Sequence, residues 1–274
     1  MTHSSIQIRT TFAAVIALAL LPAVLVGQPL GSTGHAFAQS GPDVAQILAS
    51  VSRVYSSPNQ YTLHATVTEE TFTSGKRTEV TRSAVVIAVK RPERVRFEVN
   101  RSGSTEFTGM YVGDEVAVSD GTNFFMYLSK FNQYFKTPLR LGGKSNDQPI
   151  TPMGTVPAFI DHVEATFLGW YKVVAAFADR ARLLKEEPVR ANGSTVNCYV
   201  IEIENPPNPK RTIWVDKSRS VVLRELLDLQ NPEHVPSLTK TTVFSATQFG
   251  APIKDDLFVF SPPAGAKQVD AFGR

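Results

Sequence analysis

At 274 residues, with 42% hydrophobic side chains and 28 basic against 25 acidic groups, the chain has the apolar content for a sizeable core and a formal net charge of only +3. That near-neutrality excludes the dense basic stripe that nucleic acid or an anionic membrane surface requires. A single cysteine, Cys198, excludes a disulfide framework, so stability has to come from an apolar core.

Residues 1–38 read as a cleaved export signal. Arg9 makes the start positive, residues 12–26 form an apolar stretch of h-region length, and Ala36 and Ala38 flank Phe37 as a small-residue cleavage site, which leaves Gln39 first in the mature chain. Pro22 interrupts the stretch, which falls short of the ~20 apolar residues that span a bilayer, so no stable membrane span is expected after the signal is removed. Only Arg9 among the basic residues is lost with it, and no acid, so the formal charge drops to +2. Residues 39–274 are then expected to form one domain.

A helix is predicted over 41–54, where Asp43 can cap the first turn and Val44, Ile47, Leu48, Val51 and Val54 recur at helical spacing. Strands follow over 61–72, where Tyr61, Leu63, Ala65 and Val67 alternate with polar residues, and over 76–89 beyond Ser74-Gly75. Arg91-Pro92-Glu93 punctuates before a strand over 94–99, with Val95, Phe97 and Val99 on one face and Arg94, Arg96 and Glu98 on the other. Short strands over 106–112, 115–119, 123–128 and 133–136 continue a meander with tight turns at Gly113-Asp114 and Asp120-Gly121.

After Pro138 the character changes. A polar loop containing Gly and Pro runs over 141–152, and Phe159, Ile160, Val163, Phe167, Val174 and Phe177 restore helical spacing over 156–178. Strands resume over 181–187, 196–204, 211–215, 221–229, 238–249 and 257–260. About a dozen strands with one helix in front and one or two in the middle favour a strongly curved antiparallel sheet, its concave side covered by helices, over a closed sandwich. Several strands are apolar on both faces, as where Phe124, Met126 and Leu128 alternate with Phe125 and Tyr127. A strand covering one core alternates apolar with polar, so these imply a second surface that is either buried or kept for a greasy ligand.

No reaction chemistry assembles along the chain. Gly143-Lys144-Ser145 ends like a phosphate-binding loop, but the required upstream glycine is Pro138. His64, His162 and His234 are far apart and Cys198 lacks a partner cysteine, so no metal ligand set is expected. Asp161 and Glu164 share a helical face and read as a solvated one. There is no nucleophile elbow, and Cys198, in an apolar strand, reads as a small buried hydrophobe with a raised pKa. Glu69-Glu70 and Glu186-Glu187 point to opposite strand faces, wrong for shared acid and base work. No catalytic residue, metal or cofactor is expected.

With the signal and first helix, the segments Arg91 to Phe97, Asp120 to Tyr127, Ile213 to Asp216 with Val222 to Arg224, and Phe258 to Ala266 resemble the LolA/LolB-like superfamily, and within it the DUF2092 type of predicted periplasmic proteins. The resemblance covers essentially all of the mature chain. It implies an unclosed, strongly curved antiparallel β half-barrel, here of about 11–12 strands, with helices across its mouth and covering the concave face, and binding of lipid or lipoprotein acyl chains in the periplasm. The superfamily's anchored receptors need an acylated cysteine near the start of the mature chain, and its two-domain regulators a second domain; neither is expected here.

The expected function is a non-enzymatic periplasmic binder or carrier of hydrophobic ligands, held in a dry trough between the sheet and the helices of 43–54 and 156–178. The alternative is an envelope sensor that detects lipid in the same cavity and signals through a protein partner. Candidate cavity residues are Leu63, Ala65, Val67, Val95, Phe97, Val99, Phe124, Met126, Leu128 and Trp214, with the opposite strand faces as the alternative set.

Overall fold

The computed structural model describes residues 42–56, 58–73, 75–102, 114–139, 156–191, 193–205, 208–229, 237–270 and 272. The signal at 1–38, the strand expected over 106–112 and the loop over 141–152 lie outside the described residues. Helix α1 (Val44–Tyr55) starts where Asp43 Oδ1 accepts from Ala45 N at 2.9 Å, and it buries Leu48, Val51 and Tyr55 on one face.

Among the described residues, twelve strands form one sheet. They are β1 (Gln60–Thr73), β2 (Lys76–Lys90), β3 (Arg94–Ser102), β4 (Glu115–Asp120), β5 (Asn123–Leu128), β6 (Gln133–Pro138), β7 (Ala181–Ala191), β8 (Ser194–Asn205), β9 (Asn208–Asp216), β10 (Val222–Leu229), β11 (Ser237–Phe249) and β12 (Lys267–Val269). Their order is β12-β6-β5-β4-β3-β2-β1-β11-β10-β9-β8-β7. Two meanders therefore join where β11 pairs with β1, and every pairing is antiparallel except β12 with β6. The turn from β4 to β5 shows why such short strands reverse so tightly. Asp120 Oδ1 accepts from Thr122 N and Asn123 N, both at 2.6 Å, and Gly121 takes a φ of +89° that side chains disfavour.

The sheet is open and strongly curved. Four spacings separate β7 from β11, about 19 Å if flat, yet their Cα atoms approach within 8 Å. The inner face is covered by α1 and by a second helical segment: α2 (Val156–Glu164), a π-helical turn (Ala165–Gly169), α3 (Trp170–Lys172) and a 3-10 stretch (Val174–Arg180). The predicted helix over 156–178 is thus broken into short pieces, while its apolar positions Phe159, Ile160, Val163, Phe167, Val174 and Phe177 all join the core.

The strand expected over 257–260 is not one. Residues 255–258 form a 3-10 turn that packs on β3 and β4, Phe258 is 1% exposed, and Arg96 Nη1 donates to Leu257 O at 3.1 Å and Val259 O at 3.2 Å. Those carbonyls are taken by a guanidinium instead of a neighbouring strand, so no ladder forms there. This C-terminal strap leaves β11 at Gly250, crosses the face opposite the helices, stacks Phe260 on Phe125 at 5.0 Å, and only then adds β12 to the edge of β6. Ala88, Val118 and Tyr127 are buried on that face. The double-sided apolar strands therefore need no second ligand surface: helices cover one face and the strap the other.

Candidate functional site: an apolar trough with ionic seams

The inner face is laid out in rows by strand register. One row runs Phe249, Tyr61, Val89, Val95, Ser119, Phe124, and the next Leu63, Ile87, Phe97, Ala117, Met126, Phe135. A third runs Phe244, Ala65, Val85, Val99 and then turns polar at Glu115, which pairs with Arg101 at 3.2 Å. The floor is thus apolar under the helices and charged beyond them.

Leu63, Ala65, Val67, Val95, Phe97, Val99, Phe124 and Met126 lie together in the cluster facing the helices. Leu128 is buried, at 6% exposure, but stands outside that cluster, next to Glu115 at the polar end. Trp214 is a correction. Ile213 and Val215 take the inner face, and Trp214 packs with Cys198, Val200 and Leu223 in a separate cluster on the other face. There its indole donates to Glu187 and Arg224 lies 4.5 Å over its ring. Burial holds the Cys198 thiol up at about 11, the state of an inert apolar cysteine.

Among the described residues, aromatic side chains of the cover enter the trough. Phe159 stands edge-on to Phe97 at 6.1 Å and to Phe124 at 5.6 Å, and Phe167 lies 6.0 Å from Phe97. Instead of the expected dry void, the described residues show a trough occupied by the cover's own side chains, because broken helices can settle into the curve and bury their aromatics there.

Polar groups hold the cover along two seams. On one side Glu164, 5% exposed, meets Arg91 Nη2 and Lys172 Nζ, each at 2.7 Å, and Asp161 meets Arg91 at 3.3 Å. Asp161 and Glu164 do converge, but the face expected to be solvated is half a buried ion pair. Tyr61 is buried beside Glu164, and burial first, then that carboxylate, pushes its hydroxyl well above the ordinary range. On the other side Tyr171 OH donates to Glu225 Oε2 at 2.9 Å, Arg211 pairs with Glu225, and the Arg211 guanidinium lies 4.6 Å over the Trp170 ring. Ser52 Oγ ties the two helical layers, accepting from Ala175 N at 3.0 Å.

Sequence reading missed these seams and also Tyr61, Val85, Ile87 and Phe244. For β2 the missing signal is physical: Val85 to Val89 is apolar on both faces, so alternation does not choose one. Arg91 and Glu164 carry no local pattern that pairs them. Among the described residues no group of three His, Cys, Asp or Glu side chains is placed to hold a metal, and no helix is long and apolar enough to cross a membrane. An open cleft of about 560 Å³ outside the trough lies between the β7–β8 hairpin and the turn carrying Asp216, Lys217 and Arg219. Its buried Asp216 is already occupied by Ser218 and Arg219.

No protein-family model and no curated protein matches the chain. Solved structures similar to it include LprF from Mycobacterium bovis, at 12% identity over 78% of this chain and 96% of that one, TM-score 0.41. The MucA/MucB complex of Pseudomonas aeruginosa is similar at 11% identity and TM-score 0.36; the match covers 80% of this chain, which spans only 62% of that one. A LolA superfamily protein from Nitrosomonas europaea is similar at 12% identity over 80% of this chain and 99% of that one, TM-score 0.25. The DUF2092 type is named by none of these.

Proposed function

We propose that this chain is a non-enzymatic, exported binder of hydrophobic ligands that takes up acyl chains of lipids or lipoproteins in the periplasm. The observation that carries this reading is the division of labour at the cover. Its rim is held by the Arg91–Glu164 and Tyr171–Glu225 contacts, while Phe159 and Phe167 meet the sheet through ring contacts with Phe97 and Phe124. An acyl chain can replace those side chains without leaving a buried polar group unpaired. Each CH₂ of the ligand gains about 0.8 kcal/mol on burial, and the displaced aromatics give back a comparable amount, so loading is an exchange and is reversible.

The test is native mass spectrometry of protein purified from a lipid-containing bacterial host without delipidation, together with titration by a fluorescent fatty acid. Co-purifying lipid or saturable uptake supports the reading; absence of both ends it. Export is checked by N-terminal sequencing of the secreted protein, with Gln39 expected first.

A second reading is favoured by the packed trough itself. A chain that rests closed changes its surface on loading, as an envelope sensor signalling to a protein partner has to. A partner captured only from lipid-loaded protein selects the sensor; a lipid-independent pattern selects the carrier.

A further inference from the structure

The turn Lys90-Arg91-Pro92-Glu93-Arg94 between β2 and β3 carries polar attachments of both layers that wrap the sheet. On the inner side, Arg91 holds Glu164 at 2.7 Å and Asp161 at 3.3 Å, both from α2. On the outer side, Lys90 holds Asp255 of the strap at 2.8 Å and Arg94 pairs with the same carboxylate. The turn is itself fixed from neighbouring elements: Arg91 N donates to Asn59 O at 2.9 Å, just beyond α1, and Ser119 Oγ donates to Glu93 O. Three cations in five residues thus receive three carboxylates from two layers on opposite faces of one sheet.

We infer that this turn couples the helical cover to the C-terminal strap, so that lifting the cover loosens the strap on the far face. Each attachment restricts the rotamers and backbone of the turn, so the second layer docks on a segment already ordered by the first, which is positive coupling without a change of shape. The carboxylates of the two layers also repel through the turn, but Asp255 and Asp161 are more than half exposed, and salt weakens that opposing effect over about 8 Å. Release of the strap frees the Phe258 and Phe260 contacts and the β6 edge that β12 covers. A change in the trough thereby becomes a change on the opposite surface. The coupling stands apart from the nature of any ligand, since it concerns how two layers of the same chain are held.

The experiment is native-state hydrogen exchange on the full chain with two exposed, conservative variants. Asp161→Asn disturbs only the cover attachment, and Asp255→Asn only the strap attachment. Coupling is reciprocal, so Asp161→Asn is expected to speed exchange of the strap amides of Leu257, Val259 and Lys267 by up to about twofold, the ceiling set by an exposed ion pair. Asp255→Asn is expected to speed exchange of the α2 amides by a similar factor. If each variant speeds exchange only in its own layer, or slows it in the other, the coupling is refuted.

Discussion

Arg91, one residue past the end of β2, and Glu164, the last residue of α2, lie 2.7 Å apart, with Glu164 only 5% exposed although it sits on the helix that covers the trough. A carboxylate so placed is held by its cations and not by water.

The Glu164→Gln variant therefore leaves Arg91 and Lys172 facing a neutral amide. Because both cations are about one-third exposed, the loss is expected at about 1–2 kcal/mol, below that of a fully buried pair. Asp161→Asn, at an exposed partner, is expected to cost less than about 0.5 kcal/mol. Urea unfolding of the two variants checks the order; equal losses would mean Glu164 is solvated after all.

Three tyrosines predict an alkaline limit. Tyr55, Tyr61 and Tyr171 are buried, and burial, assisted by Glu164 at Tyr61 and by Glu225 at Tyr55 and Tyr171, raises each above the ordinary 10.0. In that range the folded state keeps protons that the unfolded chain releases, so stability is full below pH 10 and declines as pH rises beyond it. Thermal unfolding followed with tyrosinate absorbance is expected to show a falling Tm only above that point. A decline beginning near neutrality would contradict the burial argument.

Phe159→Ala removes the side chain that stands edge-on to both Phe97 and Phe124. It is expected to destabilise by about 3–5 kcal/mol, as large-to-small core changes do, and to raise the capacity for a fluorescent fatty acid by opening space in the trough. Destabilisation without any gain in uptake would argue that the trough is only a core.

The chain has two tryptophans, Trp170 on the cover and Trp214 on the opposite face. Trp214→Phe leaves Trp170 as sole reporter, and its emission is expected to shift on acyl-chain loading, whereas Trp170→Phe is expected to lose most of the response. A shift carried by Trp214 alone would place the ligand outside the trough.

Local order was largely readable from residues alone. Alternation in β1 and β3, the Asp43 cap and the Asp120-Gly121 turn depend on neighbours a few positions away, so most strands and helices follow from short-range chemistry. Which face each strand presents, and what covers it, did not follow. In Ile213-Trp214-Val215 all three residues are apolar, so alternation has no preferred phase, and only the packing of α3 and the Arg224 stack decide it. Leu257 to Phe260 is a short apolar run that reads as a strand, but Arg96 claims the carbonyls of Leu257 and Val259 from 161 and 163 residues away. Glu164 looks solvated until a turn some seventy residues earlier brings Arg91 to it. Periodicity is a property of the local chain; burial and pairing belong to contacts distant in sequence, and those only the folded sheet brings together.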